Sequence, residues 1–243
     1  MNVHLASIEN LPRREDIERV PFILQSFAYI QPWMLEHICN KGSCFLLDSG
    51  AFTFMSKTEN STNFDEYLER YIRFINSMNI QRFFELDIDA VVGYEKVLQL
   101  RKRLENGTGR QCIPVWHVPR GKNEFLKMCE EYTNVAIGGI VTREFPKSNH
   151  PLFEWFIKQA HIRGVKIHGL GYTDTRMLLQ YHFDSVDSTA WLSGRRFASI
   201  HKFNGRYIET AKADGKRLID YKALDTHNLN QWILYQEYAR ANL

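Results

Sequence analysis

Cysteine is scarce in this chain and poorly spaced for metal. Cys39, Cys44, Cys112 and Cys129 form no Cys-x-x-Cys pair. That argues against a structural zinc and makes reduced thiols the expectation. No apolar run approaches the ~20 residues that span a bilayer. The N-terminus, Met1-Asn2-Val3-His4, lacks the charged-then-apolar pattern of a signal peptide. These absences predict a soluble cytoplasmic protein with no membrane partner. No Gly-x-Gly-x-x-Gly or phosphate-loop pattern is present, so no nucleotide cofactor is expected. Internal repeats and low-complexity tracts are also missing. The net charge, +3, is mildly basic; it suits a nucleic-acid partner without demanding one.

What is there is a set of short apolar runs separated by helical stretches. A length of 243 residues with 44% hydrophobic content supports one large α/β domain, or at most two small ones, with a full core. Eight strands are expected, at 3–7, 22–27, 44–48, 83–87, 113–117, 135–139, 165–170 and 183–187. Helical periodicity is clearest over 64–78, where Phe64, Leu68, Tyr71, Ile72 and Ile75 share a face behind an Asn63 cap. Repeated strand–helix alternation argues for a parallel sheet with right-handed crossovers. Eight strands favour a (β/α)8 TIM-type barrel, one domain over residues 1–243 with no zinc subdomain; an open doubly wound sheet is the alternative. Beyond residue 190 the pattern changes to a basic segment, 191–222, followed by a helix at 226–241.

Several carboxylates stand where an apolar strand stops. Asp48 follows Cys44–Leu47, Asp87 follows Arg82–Leu86, and Asp184 and Asp187 lie in Phe183-Asp184-Ser185-Val186-Asp187-Ser188-Thr189. Aspartate is a poor strand former, and in α/β folds the strand exits form the face where chemistry is done. His117, Gly138, Gly139 and Gly169 end other strands. Each has a structural reading: a turn cap for Asp48, a loop carboxylate for Asp87, packing against Trp116 for His117, a tight turn for Gly138-Gly139. The functional reading is chemistry at a glycosidic carbon, with one carboxylate attacking and a second moving the proton. Backbone amides of Gly138 and Gly139 would then meet a carbonyl of the leaving base. Phe52, Trp116, Tyr172 and Trp191 are candidates to stack on that base, with core packing as the alternative.

The order of these motifs resembles the tRNA-guanine transglycosylases. Asp48-Ser49-Gly50-Ala51-Phe52 is similar to their Asp-Ser-Gly-Gly-Phe signature, and Ile137-Gly138-Gly139-Ile140, leading to Glu144, to their Ile-Gly-Gly-Leu segment. His168-Gly169-Leu170-Gly171 resembles their Met-Gly-Val-Gly strand end, and Val186-Asp187-Ser188-Thr189 falls in the place of their nucleophile segment. The set spans residues 44–189. The departures are as informative: no cysteine follows Cys129, so the family's zinc site has no ligands, and Pro114-Val115-Trp116-His117 replaces a Val-Gln-Gly strand end. The compact zinc-free pattern looks closer to the phage-type 7-deazaguanine DNA transglycosylases.

The resemblance implies exchange of guanine in DNA for a 7-deazaguanine base such as 7-cyano-7-deazaguanine, through a covalent aspartyl intermediate, without metal or cofactor. It implies Asp187 as nucleophile with Asp184 as competitor, Asp48 as general acid/base and Asp87 as reader of the guanine edge. Gly139, Gly138, Gly169 and His117 would contact the base. In-strand alternation gives 184 and 187 opposite facings, so both cannot serve from a regular strand. Arg195, Arg196, Lys202 and Arg206 begin a stretch, 195–222, with eight Lys/Arg against three acidic residues; phosphate contact is the functional reading and a solvated loop the other. The family often forms homodimers, and a phage-encoded protein would act in the host cytoplasm. A tRNA enzyme without its zinc module, and a non-catalytic DNA-binding specificity subunit, remain the alternatives.

Overall fold

The computed structural model describes residues 1–50, 63–212 and 220–243. It is an α/β structure of short parallel strands alternating with helices, as the sequence pattern implies. The chain divides into two compact units, one formed by Met1–Ile23 with Trp116–Leu243 and the other by Leu24–Val115. Among the described residues no helix is long and apolar enough to cross a membrane. All four cysteines are free: Cys112 and Cys129 are buried, Cys44 is half-buried and Cys39 is exposed.

In the discontinuous unit, the strand order is β1 (Asn2–Ala6), β7 (Ser185–Ser188), β6 (Lys166–Gly169), β5 (Asn134–Ile137) and β4 (Val115–Trp116), whose first residue belongs to the other unit. The β1–β7, β6–β7 and β5–β6 pairs are parallel. Between them run the helices Gly121–Glu131 and Phe153–Ile162. An aromatic cluster fills the space under these helices: Trp116 packs on Phe156 at 4.5 Å, and Phe145 stacks on Phe153 at 4.9 Å. Trp116, Tyr172 and Trp191 are all core residues, 3%, 2% and 0% exposed. Phe52 lies outside the described residues.

The second unit holds β2 (Ile23–Ser26), which starts one residue before it, and β3 (Phe45–Asp48). Its helix Phe64–Ser77 is capped by Asn63, whose Oδ1 accepts Glu66 N at 3.2 Å, and buries Tyr67, Leu68, Tyr71, Ile72 and Ile75. The strand expected at 83–87 is reduced to two isolated parallel bridges, Leu47↔Phe83 and Phe84↔Ile113. Its backbone is nonetheless bonded on both sides: Phe84 N donates to Leu47 O (2.9 Å) and Ile113 N to Phe83 O (2.8 Å). The Tyr71 hydroxyl reaches the carbonyls of Leu47 and Phe84 at 3.2 and 3.1 Å. Glu85 N continues the pairing to Ile113 O at 3.1 Å, and the Glu85 side chain is buried. Its Oε2 accepts Arg101 Nε at 2.6 Å and its Oε1 accepts Val115 N at 2.7 Å. Glu85 is fully buried and Arg101 4% exposed.

The basic segment contains structure that composition hid. Residues Ser199–Phe203 (β8) and Ile208–Lys212 (β9) form an antiparallel hairpin around an Asn204-Gly205 turn. The C-terminal helix runs Tyr221–Asn242, five residues earlier than expected, because Asp220 caps it through Ala223 N at 2.9 Å. We label it α1. It seals the open edge of β8 with side chains. Asn228 Oδ1 accepts His201 N, Asn228 Nδ2 donates to Ser199 O, and Gln231 Oε1 accepts Phe203 N, all within 3.0 Å. A covered edge cannot pair with another chain.

His201 locks this contact. Trp232 Nε1 donates to its Nδ1 at 2.8 Å, so its Nε2–H donates to Ser193 Oγ at 3.0 Å. Burial, assisted by the neighbouring His227, pushes the His201 pKa down from 6.5 to about 4. A folded-state pKa below the unfolded value means a contribution complete above pH 6.5 and lost as pH falls toward 4. The urea midpoint should therefore fall more steeply across that window in the wild type than in His201→Asn. A second outcome follows from the buried ion pair: Arg101→Met leaves the Glu85 carboxylate buried without its cation and should cost about 3–5 kcal/mol by chemical denaturation.

Candidate active site

The exits of β6 and β7 bring together the best-defined polar constellation. Ser185 and Asp187 lie two apart on β7 and so share a face. His168, 2% exposed, reaches both: Nδ1 is 2.8 Å from Ser185 Oγ and Nε2 is 3.2 Å from Asp187 Oδ1. Gly171 N donates to the same Oδ1 at 2.6 Å. Asp187 Oδ2 has no donor among the described residues, and the side chain keeps 9% exposure. On the neighbouring strand His4 is the register partner of Asp187; its Nδ1 donates to Val186 O at 3.4 Å. Gly169 is buried at this exit, where a Cβ would meet the Phe183 ring and Val186 Cγ1 at 3.3 Å.

Asp184 is at the opposite end of β7. Its Oδ2 accepts Ile167 N (2.8 Å) and pairs with His161 Nε2 (2.9 Å), where β6 begins and the helix Phe153–Ile162 ends. Its carbonyl accepts Asn2 N at 2.9 Å. It joins the starts of three strands, whereas Asp187 faces their exits.

A second polar group occupies the exits of β4 and β5. His117 Nδ1 is 3.3 Å from Glu144 Oε2, and Glu144 Oε1 accepts Val118 N at 2.9 Å. Glu144 leans over Gly139, which has φ +76° and whose added Cβ would meet Glu144 at 3.1–3.3 Å. The expectation for the two glycine amides needs correction. Gly138 N already donates to Trp116 O at 2.8 Å, so it has no proton to offer a ligand. Gly139 N has no acceptor among the described residues.

In the other unit Asp48 closes β3, and its Oδ2 accepts Gly50 N at 3.0 Å. Gly50 has φ +79°, and a Cβ there would fall 2.9 Å from both Ala28 Cβ and Ser26 Oγ. Tyr67 OH donates to Ser49 O at 2.6 Å. Burial, with the Asp48 charge adding to it, pushes the Tyr67 and Tyr71 phenols upward. The hydroxyls of Ser26 and Ser49 are buried without a partner among the described residues. Asp87 is half-buried just past the 83–85 rung, and Asp89 opens a short helix, Asp89–Val92.

Of the expected phosphate contacts, Lys202 is exposed on β8 and Arg206 is exposed in the hairpin turn. Arg176 joins them, stacking 4.6 Å over the Tyr207 ring. Arg195 and Arg196 lie in the helix Ser193–Phe197, and their side chains are outside the described set. A shallow cavity of about 510 Å³ near the start of α1, lined by Lys222, Thr226, His227 and Asn230 among others, shares no residue with the strand exits.

Comparison with known proteins adds little. No family model and no curated protein matches the chain. Among solved structures it is similar to the carboxyl transferase domain of Rhizobium etli pyruvate carboxylase, at 12% identity and TM-score 0.46. The same domain with pyruvate gives 14% and 0.48. Each alignment covers 98% of this chain but 48% of the other, so the chain spans about half the length of these structures.

His168 of the first group and Glu144 of the second carried no role in the sequence reading. His168 was visible only as the residue standing where the resembling family has methionine. Its partner Ser185 becomes apparent through the β6–β7 register alone. Gly171 offers a direct test. Its φ is +71°, and an added Cβ would collide with Val141 Cγ2. Gly171→Ala should cost about 1–3 kcal/mol for the backbone strain and draw the amide away from Asp187. Adding Val141→Ala should recover the steric part of the loss and leave the backbone part, as read by denaturant midpoints.

Proposed function

We propose that the chain exchanges guanine in DNA for a 7-deazaguanine base, with Asp187 as the attacking carboxylate. One observation supports this reading above the others: Asp187 is nearly buried at a strand exit, with Oδ1 fixed by two donors and Oδ2 without a donor among the described residues. An oriented, partly desolvated carboxylate suits attack on an anomeric carbon. In the first step Oδ2 bonds to C1′, the C1′–N9 bond breaks, and the base leaves with the electron pair and a proton from Asp48. In the second, N9 of the incoming base attacks C1′, the ester bond breaks, and the proton of that nitrogen passes to Asp48.

In the same reading Asp87 recognises the guanine edge, and the Gly139 amide meets the base carbonyl with His117 beside it. Because Gly138 N is engaged, Gly139 carries that contact alone. Asp184 is the weaker nucleophile, since its carboxylate closes the starts of β6 and β7. The base must leave the duplex stack at a cost of a few kcal/mol; Lys202, Arg206 and Arg176 are suited to holding the backbone. A (β/α)8-type barrel is the fold that goes with this reading. A homodimer in a phage-infected cytoplasm is the corresponding setting.

Asp187→Asn should lower exchange of radiolabelled guanine into DNA by at least about 10³-fold while DNA binding persists. Asp184→Asn should retain exchange and lose stability. Label entering tRNA alone overturns the DNA assignment. Unchanged exchange in Asp187→Asn overturns the nucleophile.

A further inference from the structure

We infer that His168 is the positioning residue for Asp187, and that Ser185, His168 and Asp187 form a buried relay holding one carboxylate oxygen while the other reacts. The inference rests on Asp187 being the nucleophile. A carboxylate oxygen only accepts, so the contact to Oδ1 requires a proton on His168 Nε2. When the ring carries that proton alone, Nδ1 accepts from the Ser185 hydroxyl, 2.8 Å away and 3% exposed. The register explains why one ring serves both residues. His168 pairs with Ser185 across the parallel ladder, so its side chain lies over the face that Ser185 and Asp187 share. His4 abuts the ring edge-on at 6.0 Å.

The relay acts differently on the two halves of the reaction. Donors on Oδ1 lower the energy of the free carboxylate, which slightly weakens it as a nucleophile. They also favour its departure, because charge returns to Oδ1 as the bond between Oδ2 and C1′ breaks. Fixing Oδ1 meanwhile directs Oδ2. Removing the His168 donor should therefore slow breakdown of the covalent intermediate more than its formation. A residue needed only for packing would not change that partition.

The test uses the full chain, a guanine-containing duplex oligonucleotide and radiolabelled guanine. His168→Leu should reduce exchange by about 10²-fold with oligonucleotide affinity unchanged, and the fraction of protein trapped as adduct should rise. His168→Gln, which keeps an N–H donor, should recover much of the rate and guards against a His168→Leu variant that fails to fold. In the wild type, long-range 1H–15N correlation should place a proton on His168 Nε2. Exchange within threefold of wild type in His168→Leu, an unaltered adduct fraction, or a proton on Nδ1 alone overturns the inference while leaving Asp187 in place. Adduct formation in Asp187→Asn, or no label uptake by the wild type, removes the proposed function and this inference with it.

Discussion

Parallel ladders of two to five residues leave backbone amides unpaired at both ends, and a buried amide must find an acceptor. In this chain carboxylates supply it. Glu85 accepts Val115 N, Asp184 accepts Ile167 N, Glu144 accepts Val118 N, Asp48 accepts Gly50 N and Asp187 accepts Gly171 N. The recurrence of acidic residues at strand ends is therefore first a structural necessity. Each closes a ladder where the next strand or turn departs.

In the proposed reading chemistry is a second use of the same device, and a spare oxygen is what would separate the two uses. Glu85 commits both oxygens, one to Val115 and one to Arg101. Glu144 commits both, to Val118 and His117. Asp187 concentrates two donors on Oδ1. Asp184 also concentrates its donors on one oxygen, but at the end of the sheet where strands begin. Under the proposed function, position and spare valence together favour Asp187 over Asp184; neither suffices alone.

Seven of the eight expected strands were legible as apolar runs, since burial on both faces of a parallel sheet leaves continuous hydrophobic sequence. The segment at 83–87 reads as a strand for the same reason, yet Glu85 is drawn to an arginine sixteen residues away, a partner no local pattern reveals. The hairpin at 199–212 carried a signal in Asn204-Gly205, the dipeptide that favours tight β-turns. It was obscured because one edge of β8 is satisfied by helix side chains about thirty positions on. Aspartates at strand exits were readable from sequence. The histidine that links Asp187 to Ser185 depends on register and required the fold.

The discontinuous unit has a consequence for the order in which the protein is made. β1 is made well before its parallel partner β7, which follows some 180 residues later. The carbonyls of Val3 and Phe22 wait longer still, for Gln236 Nε2 at 2.6 and 2.8 Å. The Leu24–Val115 unit is contiguous, and its buried Glu85–Arg101 pair closes within a short span. Vectorial synthesis thus delivers that unit complete while the strand beside Asp187 is still unpaired. The β1 edge is therefore completed only when the terminal helix has been made.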